Sequence, residues 1–160
     1  MSQTIAPAFT DPSSPATPLH VVSEDAFDEW MASQPDHVAR WVKAGGFKPS
    51  LGASCVLPGG NGDIEGVVVG YGSKTTRQRQ RFGIAKAYSS LPEGDYRIEG
   101  VLTEGDLAEA VLGWLLAGYK FTRYAGKPTP PRGLICPDGL DAARLEAIAA
   151  SEYLVRDLIN

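Results

Sequence analysis

Apolar residues recur along this chain at two spacings, and the switches between them mark out its elements. "LHVV" (Leu19–Val22) is a short β-rich run that reads as a strand. Ser23 is placed to cap a helix over "EDAFDEWMAS", whose first turn is acidic, as the helix dipole favours. Pro35 opens a second helical stretch in which Val38, Trp41 and Val42 share a face, and Gly45-Gly46 ends it. "ASCVLP" and "IEGVVVGYG" flank "GGNGD", where Asn61-Gly62 can take positive φ angles, and together they predict a hairpin. "KTTRQRQRFGIAKAYSS" reads as helical, "LPEGD" as a turn and "YRIEGVL" as an alternating strand.

A long helix follows over "TEGDLAEAVLGWLLAGYKF", with Thr103 and Asp106 in capping-box positions. Its stripe is Leu107, Val111, Trp114 and Leu115, and Gly113 and Gly118 allow a neighbour to approach closely. "KPTPP" breaks the chain, "GLICP" is a short buried strand, and Leu140–Asn160 is the last helix. The order β-α-β-β-α-β-α-β-α predicts an α/β fold: a three-layer α/β/α sandwich on a mixed sheet of about five strands. Residues 1–18, with four prolines and no hydrophobic period, read as a disordered leader before a single domain over 19–160.

On the last helix, Leu145, Ile148, Val155 and Ile159 form one apolar stripe. Leu140, Ala143, Ala147, Leu154 and Leu158 form a second, displaced by roughly a third of a turn. Glu146 and Asp157 are expected on the opposite side. The apolar arc is wider than one core needs. One stripe is therefore expected on this domain's sheet, with part of the other left for a partner near Leu154, Leu158 and Ile159. The helix also ends without a Gly cap, a Pro stop or a polar tail, as though it continued.

Composition narrows the function classes. The 160 residues are 43% hydrophobic and 21% charged, with a net charge of −4, which argues against a nucleic-acid binder. The chain has no membrane-length apolar run and no signal-peptide pattern, and its two cysteines suggest no disulfide framework, so a cytoplasmic location is expected. Cys55, Cys136, His20 and His37 lie outside any paired metal-ligand spacing and read as ordinary buried or incidental residues. "PGGNGDIEGVVVGYG" is a turn and a strand, with neither phosphate-loop fingerprint. Lys74, Arg77, Arg79 and Arg81 make a weak nucleic-acid candidate, better explained as a solvated or partner-facing surface. There is no GxSxG elbow, and Ser54-Cys55 has no local His partner. The paired carboxylates Glu24/Asp25 and Asp28/Glu29 suit a helix start.

Two phrases carry a resemblance. "LGWLLAGYKFTRY" (Leu112–Tyr124) and "EYLVRDLIN" (Glu152–Asn160) resemble the end of the N-terminal domain of leucyl aminopeptidases, the two-metal cytosol aminopeptidase family. In that family a Gly-rich helix ends in a similar Y-x-F-x-x-Y phrase, and a later helix carries R-D-L-x-N before Thr-Pro and the catalytic domain. "YRIEG" and "FDEWMASQP" resemble the shorter alphaproteobacterial branch. The resemblance covers the layout of residues 19–160 and is specific over roughly the last 50.

It implies a macro-like accessory domain whose catalytic domain is absent from this sequence. The ligand phrase NTDAEGRL is missing, so catalytic, cofactor and metal residues in this chain are expected to be none. For the parent, the resemblance implies removal of N-terminal residues such as Leu from peptide substrates. It also implies two divalent ions (Zn or Mn) and a homo-hexamer with N-terminal domains at the periphery. A second expectation is a stand-alone macro-like module for a nucleotide, ADP-ribose or nucleic acid. The missing phosphate motif and the acidic charge weigh against it.

Overall fold

The computed structural model describes residues 6–80, 82–100, 102–124 and 132–159. The run Val67-Val68-Val69 sets the architecture, because a strand apolar at consecutive positions must be covered on both faces. It lies in β3 (Ile64–Gly72), beside β1 (Thr17–Ser23), and both strands sit inside a five-stranded sheet. β2 is Ser54–Pro58, β4 is Asp95–Glu99 and β5 is Gly133–Leu134, and the strand order is β2-β3-β1-β4-β5. β1 runs parallel to β3 and β4, β4 runs parallel to β5, and β2 alone is antiparallel, forming the expected hairpin with β3. The predicted mixed sheet of five strands with helical cover is what forms.

Alternation along β1 splits its side chains between two cores. Leu19 and Val21 join Val67, Val69 and Tyr96 on one face, under the 3₁₀ helix Gly83–Ser90, α4 (Glu104–Tyr124) and α5 (Ala142–Ile159). Trp114 anchors that core: it meets the Tyr88 and Tyr96 rings edge-on at 5.0 and 5.7 Å and donates its indole N–H to the Arg132 carbonyl at 2.9 Å. Val22 and Val68 face the other way, under α1 (Phe27–Ala32) and α2 (Asp36–Ala44), where Val38 and Val42 are buried.

Gly70 marks the place where backbone meets backbone. The loop at Pro49–Ser50 crosses β3 there, and a Cβ on Gly70 would be driven into the Ser50 carbonyl. Hydrogen bonds from Gly70 N to Ala53 O and from Gly72 N to Pro49 O fix the crossing at 2.8 and 2.9 Å. Gly113 plays a similar part on α4, where a Cβ would press on Phe82 at 3.0 Å.

Several boundaries differ from the sequence reading. β1 begins at Thr17, inside the stretch 1–18 read as a leader. Phe9 packs on the core, and Thr10 bridges Ile135 and donates its N–H to Leu134 O at 2.9 Å. Ser23 does not cap α1: its hydroxyl takes the Ala26 N–H at 3.3 Å, and the helix begins one turn later at Phe27. In the hairpin loop only Gly62 takes a positive φ, at 83°, and Asn61 does not. The basic stretch is not one helix, since α3 covers Lys74–Arg79 and the 3₁₀ helix starts at Gly83. Between them Phe82 sits in the left-handed region at φ 55°, its N–H held by Glu109 Oε1 at 3.2 Å, which an unbroken helix could not accommodate. The "KPTPP" break and Arg81 fall outside the described residues.

Candidate functional site

α5 is mounted with its apolar side outward. The side that packs on α4 carries Leu145, Ala149 and Tyr153, all buried, together with Glu146, Arg156 and Asp157. Neither apolar stripe read from the sequence is the packing face, and of those residues only Leu145 is buried on α5. Glu146 and Asp157, expected on the solvent side, point at protein donors instead. Glu146 Oε1 accepts the Phe9 N–H at 3.0 Å, and Asp157 Oδ1 accepts the Tyr119 hydroxyl at 2.9 Å. Tyr153 stacks obliquely on Tyr119 at 4.8 Å and donates its hydroxyl to the Leu115 carbonyl of α4. Burial drives the Tyr153 pKa well above the ordinary phenol value, so it stays a donor.

The opposite side is apolar and bare. Leu154 is 61% exposed, Val155 48%, and Leu158 and Ile159 78% each, with Ile148 a turn or two back at 42%. At 100° per residue these five fall within an arc of about 140°. They account for five of the seven large exposed hydrophobic residues of the described chain. Single exposed apolar residues are ordinary; a contiguous group on one helix face marks a contact surface.

A second feature lies at the carboxyl ends of the parallel strands. The chain leaves β1 toward β3 on one side and leaves β3 for β4 on the other, so the crevice beside β1 is a topological switch point, where open α/β sheets bind ligands. The crevice there has a volume of about 510 Å³, lined by the end of β1, by α1 and α3, by Tyr71 of β3 and by the first turn of α4. Arg77 is fixed at its edge. Its Nη1 donates to the carbonyls of Tyr71 and Gly72 at 3.0 and 2.9 Å, and its guanidinium lies 4.3 Å from the Tyr71 ring centre. Thr103 Oγ1 caps α4 by accepting the Asp106 N–H at 3.2 Å. Burial, then the charge of Asp106, raises the Tyr71 pKa. Trp30 lines the same crevice, and its indole Nε1 is buried with no acceptor among the described residues.

The residues singled out from sequence scatter. Lys74 and Arg79 are exposed on α3 while Arg77 lines the crevice, so the described part of the basic run presents no continuous basic face. Cys55 lies on β2 and Cys136 beyond β5, at opposite sheet edges, and burial raises both thiol pKa values. His37 pairs with Glu65 at 3.0 Å on the surface, and burial lowers the His20 pKa against the opposing pull of Glu99 and Glu65. Among the described residues no group of three or more His, Cys, Asp or Glu side chains is placed to hold a metal ion. The crevice escaped sequence reading because its walls come from separate segments. The only available signal was that Ser23, Tyr71 and Gly100 each stand at or just past the end of a β-rich run.

Comparison with known proteins gives this architecture a lineage. The chain superposes on the cytosol aminopeptidase of Coxiella burnetii with a TM-score of 0.81 at 23% identity, over 96% of this chain and 33% of that one. A mutant of tomato leucine aminopeptidase aligns with a TM-score of 0.55 at 14% identity, over 96% of this chain and 37% of that one. The chain thus spans about a third of the length of these structures. No curated protein matches the sequence significantly. The alternative of a stand-alone nucleotide, ADP-ribose or nucleic-acid module gains no support from these comparisons. The family model for the M17 aminopeptidase N-terminal domain matches residues 17–137, from the first residue of β1 to just past β5, and the chain belongs to that family.

Proposed function

We propose that this chain is the non-catalytic N-terminal domain of a metal-dependent leucyl aminopeptidase, and that the outward face of α5 docks on the catalytic domain of the same polypeptide. The observation that supports it most is the orientation of α5. A helix free to choose would bury Leu154, Val155, Leu158 and Ile159 and expose Glu146 and Asp157, yet the reverse holds. An apolar face turned outward is stable when something covers it.

In this reading the parent removes N-terminal residues such as Leu from peptides in the cytoplasm and assembles as a homo-hexamer. The present domain, macro-like and peripheral, shapes assembly or access to the active site. The two divalent ions, Zn or Mn, belong to the catalytic domain, where such ions activate water and polarise the scissile carbonyl. The described residues hold no group of three or more His, Cys, Asp or Glu side chains placed to take such an ion.

The test is the pair Leu154→Glu and Leu158→Glu, made both in this chain and in the full-length polypeptide. In this chain the stability of the fold changes by no more than about 0.5 kcal/mol per substitution. In the full-length polypeptide the pair uncouples the domains, seen as a separate melting transition. An unchanged single transition there rejects the docking role.

A further inference from the structure

We infer that the crevice at the carboxyl ends of β1, β3 and β4 binds a small zwitterion, namely a free α-amino acid with an apolar side chain. Three observations converge on that chemistry. Arg77 is held in place through Nη1 alone, so its Nε and Nη2 donors remain without acceptors among the described residues. A guanidinium already oriented by two carbonyls and an aromatic ring offers a fork suited to a carboxylate. Glu29 and Asp106, also in the lining, make no ion pair among the described residues and supply negative charge for an ammonium group. Between these groups the wall is apolar, with Leu102 from the β4–α4 loop and the Trp30 ring.

The mixture of charges is what selects the class. A phosphate or simple anion would meet two carboxylates, and a simple cation would meet Arg77, whereas a zwitterion satisfies both signs at once. The volume of about 510 Å³ falls in the ordinary range of small-molecule sites. The site is separate from the α5 face. Only the choice of leucine as first probe rests on the proposed aminopeptidase parent.

The experiment is a titration of the 160-residue chain with L-leucine, followed by amide and side-chain NMR. Leucinamide, which lacks the carboxylate, and N-acetylleucine, which lacks the ammonium, serve as controls. Saturable shifts are expected at the Trp30 indole and Arg77 Nε signals, with each control binding at least about tenfold more weakly. Glu29→Gln and Asp106→Asn are isosteric changes at exposed positions that leave the fold intact, and at least one should weaken leucine while sparing leucinamide less than N-acetylleucine. The inference is overturned if leucine and other apolar amino acids give no saturable shifts up to about 20 mM. It is equally overturned if either control binds as well as leucine, or if the shifts map away from the crevice. Failure of the α5 docking test would leave this titration unaffected, so the two outcomes are separable.

Discussion

Single residues in this domain are decided by what stands opposite them. Gly70 has no room for a side chain because the Ser50 carbonyl occupies the space, and both backbones there are fixed by hydrogen bonds. Gly70→Ala should therefore destabilise the fold by about 3 kcal/mol, read from the urea midpoint; a loss under about 0.5 kcal/mol would mean the loop can move aside. His20 gives a pH effect of definite sign. Burial between β3 and the α1 side lowers its folded pKa, with Glu99 and Glu65 opposing, so the unfolded chain binds the proton more readily. Stability is complete above the ordinary histidine value of about 6.5 and falls as pH drops through it toward the lowered folded value. Replacing His20 by Leu should remove that part of the pH dependence in denaturant titrations. An unaltered pH profile would assign the effect elsewhere.

At the scale of elements, α5 is the instructive case. Tyr153→Phe deletes the hydroxyl donated to the Leu115 carbonyl and should cost about 1 kcal/mol, whereas Leu158→Glu, at 78% exposure, should cost little. Equal losses would mean the two faces are not as described. Strands and helices were largely legible in the sequence: β3 from its valine run, the hairpin from its glycine loop, α4 from a stripe whose Val111, Trp114 and Leu115 are indeed buried. The packing face of α5 was not. Periodicity counts Glu146 and Asp157 as solvent-facing, but here they accept from a backbone N–H and a tyrosine hydroxyl, and Tyr153 packs beside Leu145 and Ala149. The break at Phe82 was hidden for a related reason. A left-handed phenylalanine carries no local signature, and its N–H is held by Glu109, 27 residues later.

For the whole molecule, the parallel order around β1 creates a switch-point crevice and leaves one apolar helix face bare on the far layer. The crevice was not readable as a site, since it gathers residues from Val21 to Asp106; Leu154, Leu158 and Ile159 were singled out for a partner, but not which way α5 is turned. An apolar surface of this kind should drive reversible self-association of the chain, rising with concentration in sedimentation and relieved by Leu158→Glu. Concentration-independent monomers would show that the face is too small to associate by itself. The central claim, that the catalytic domain covers this face, is tested most directly by placing a thiol at position 158 and measuring its labelling rate by peptide-resolved mass spectrometry. The Leu158→Cys thiol should react freely in the 160-residue chain and at least about tenfold more slowly in the full-length polypeptide, as expected for a buried interface core. Equal labelling rates in the two would contradict the account.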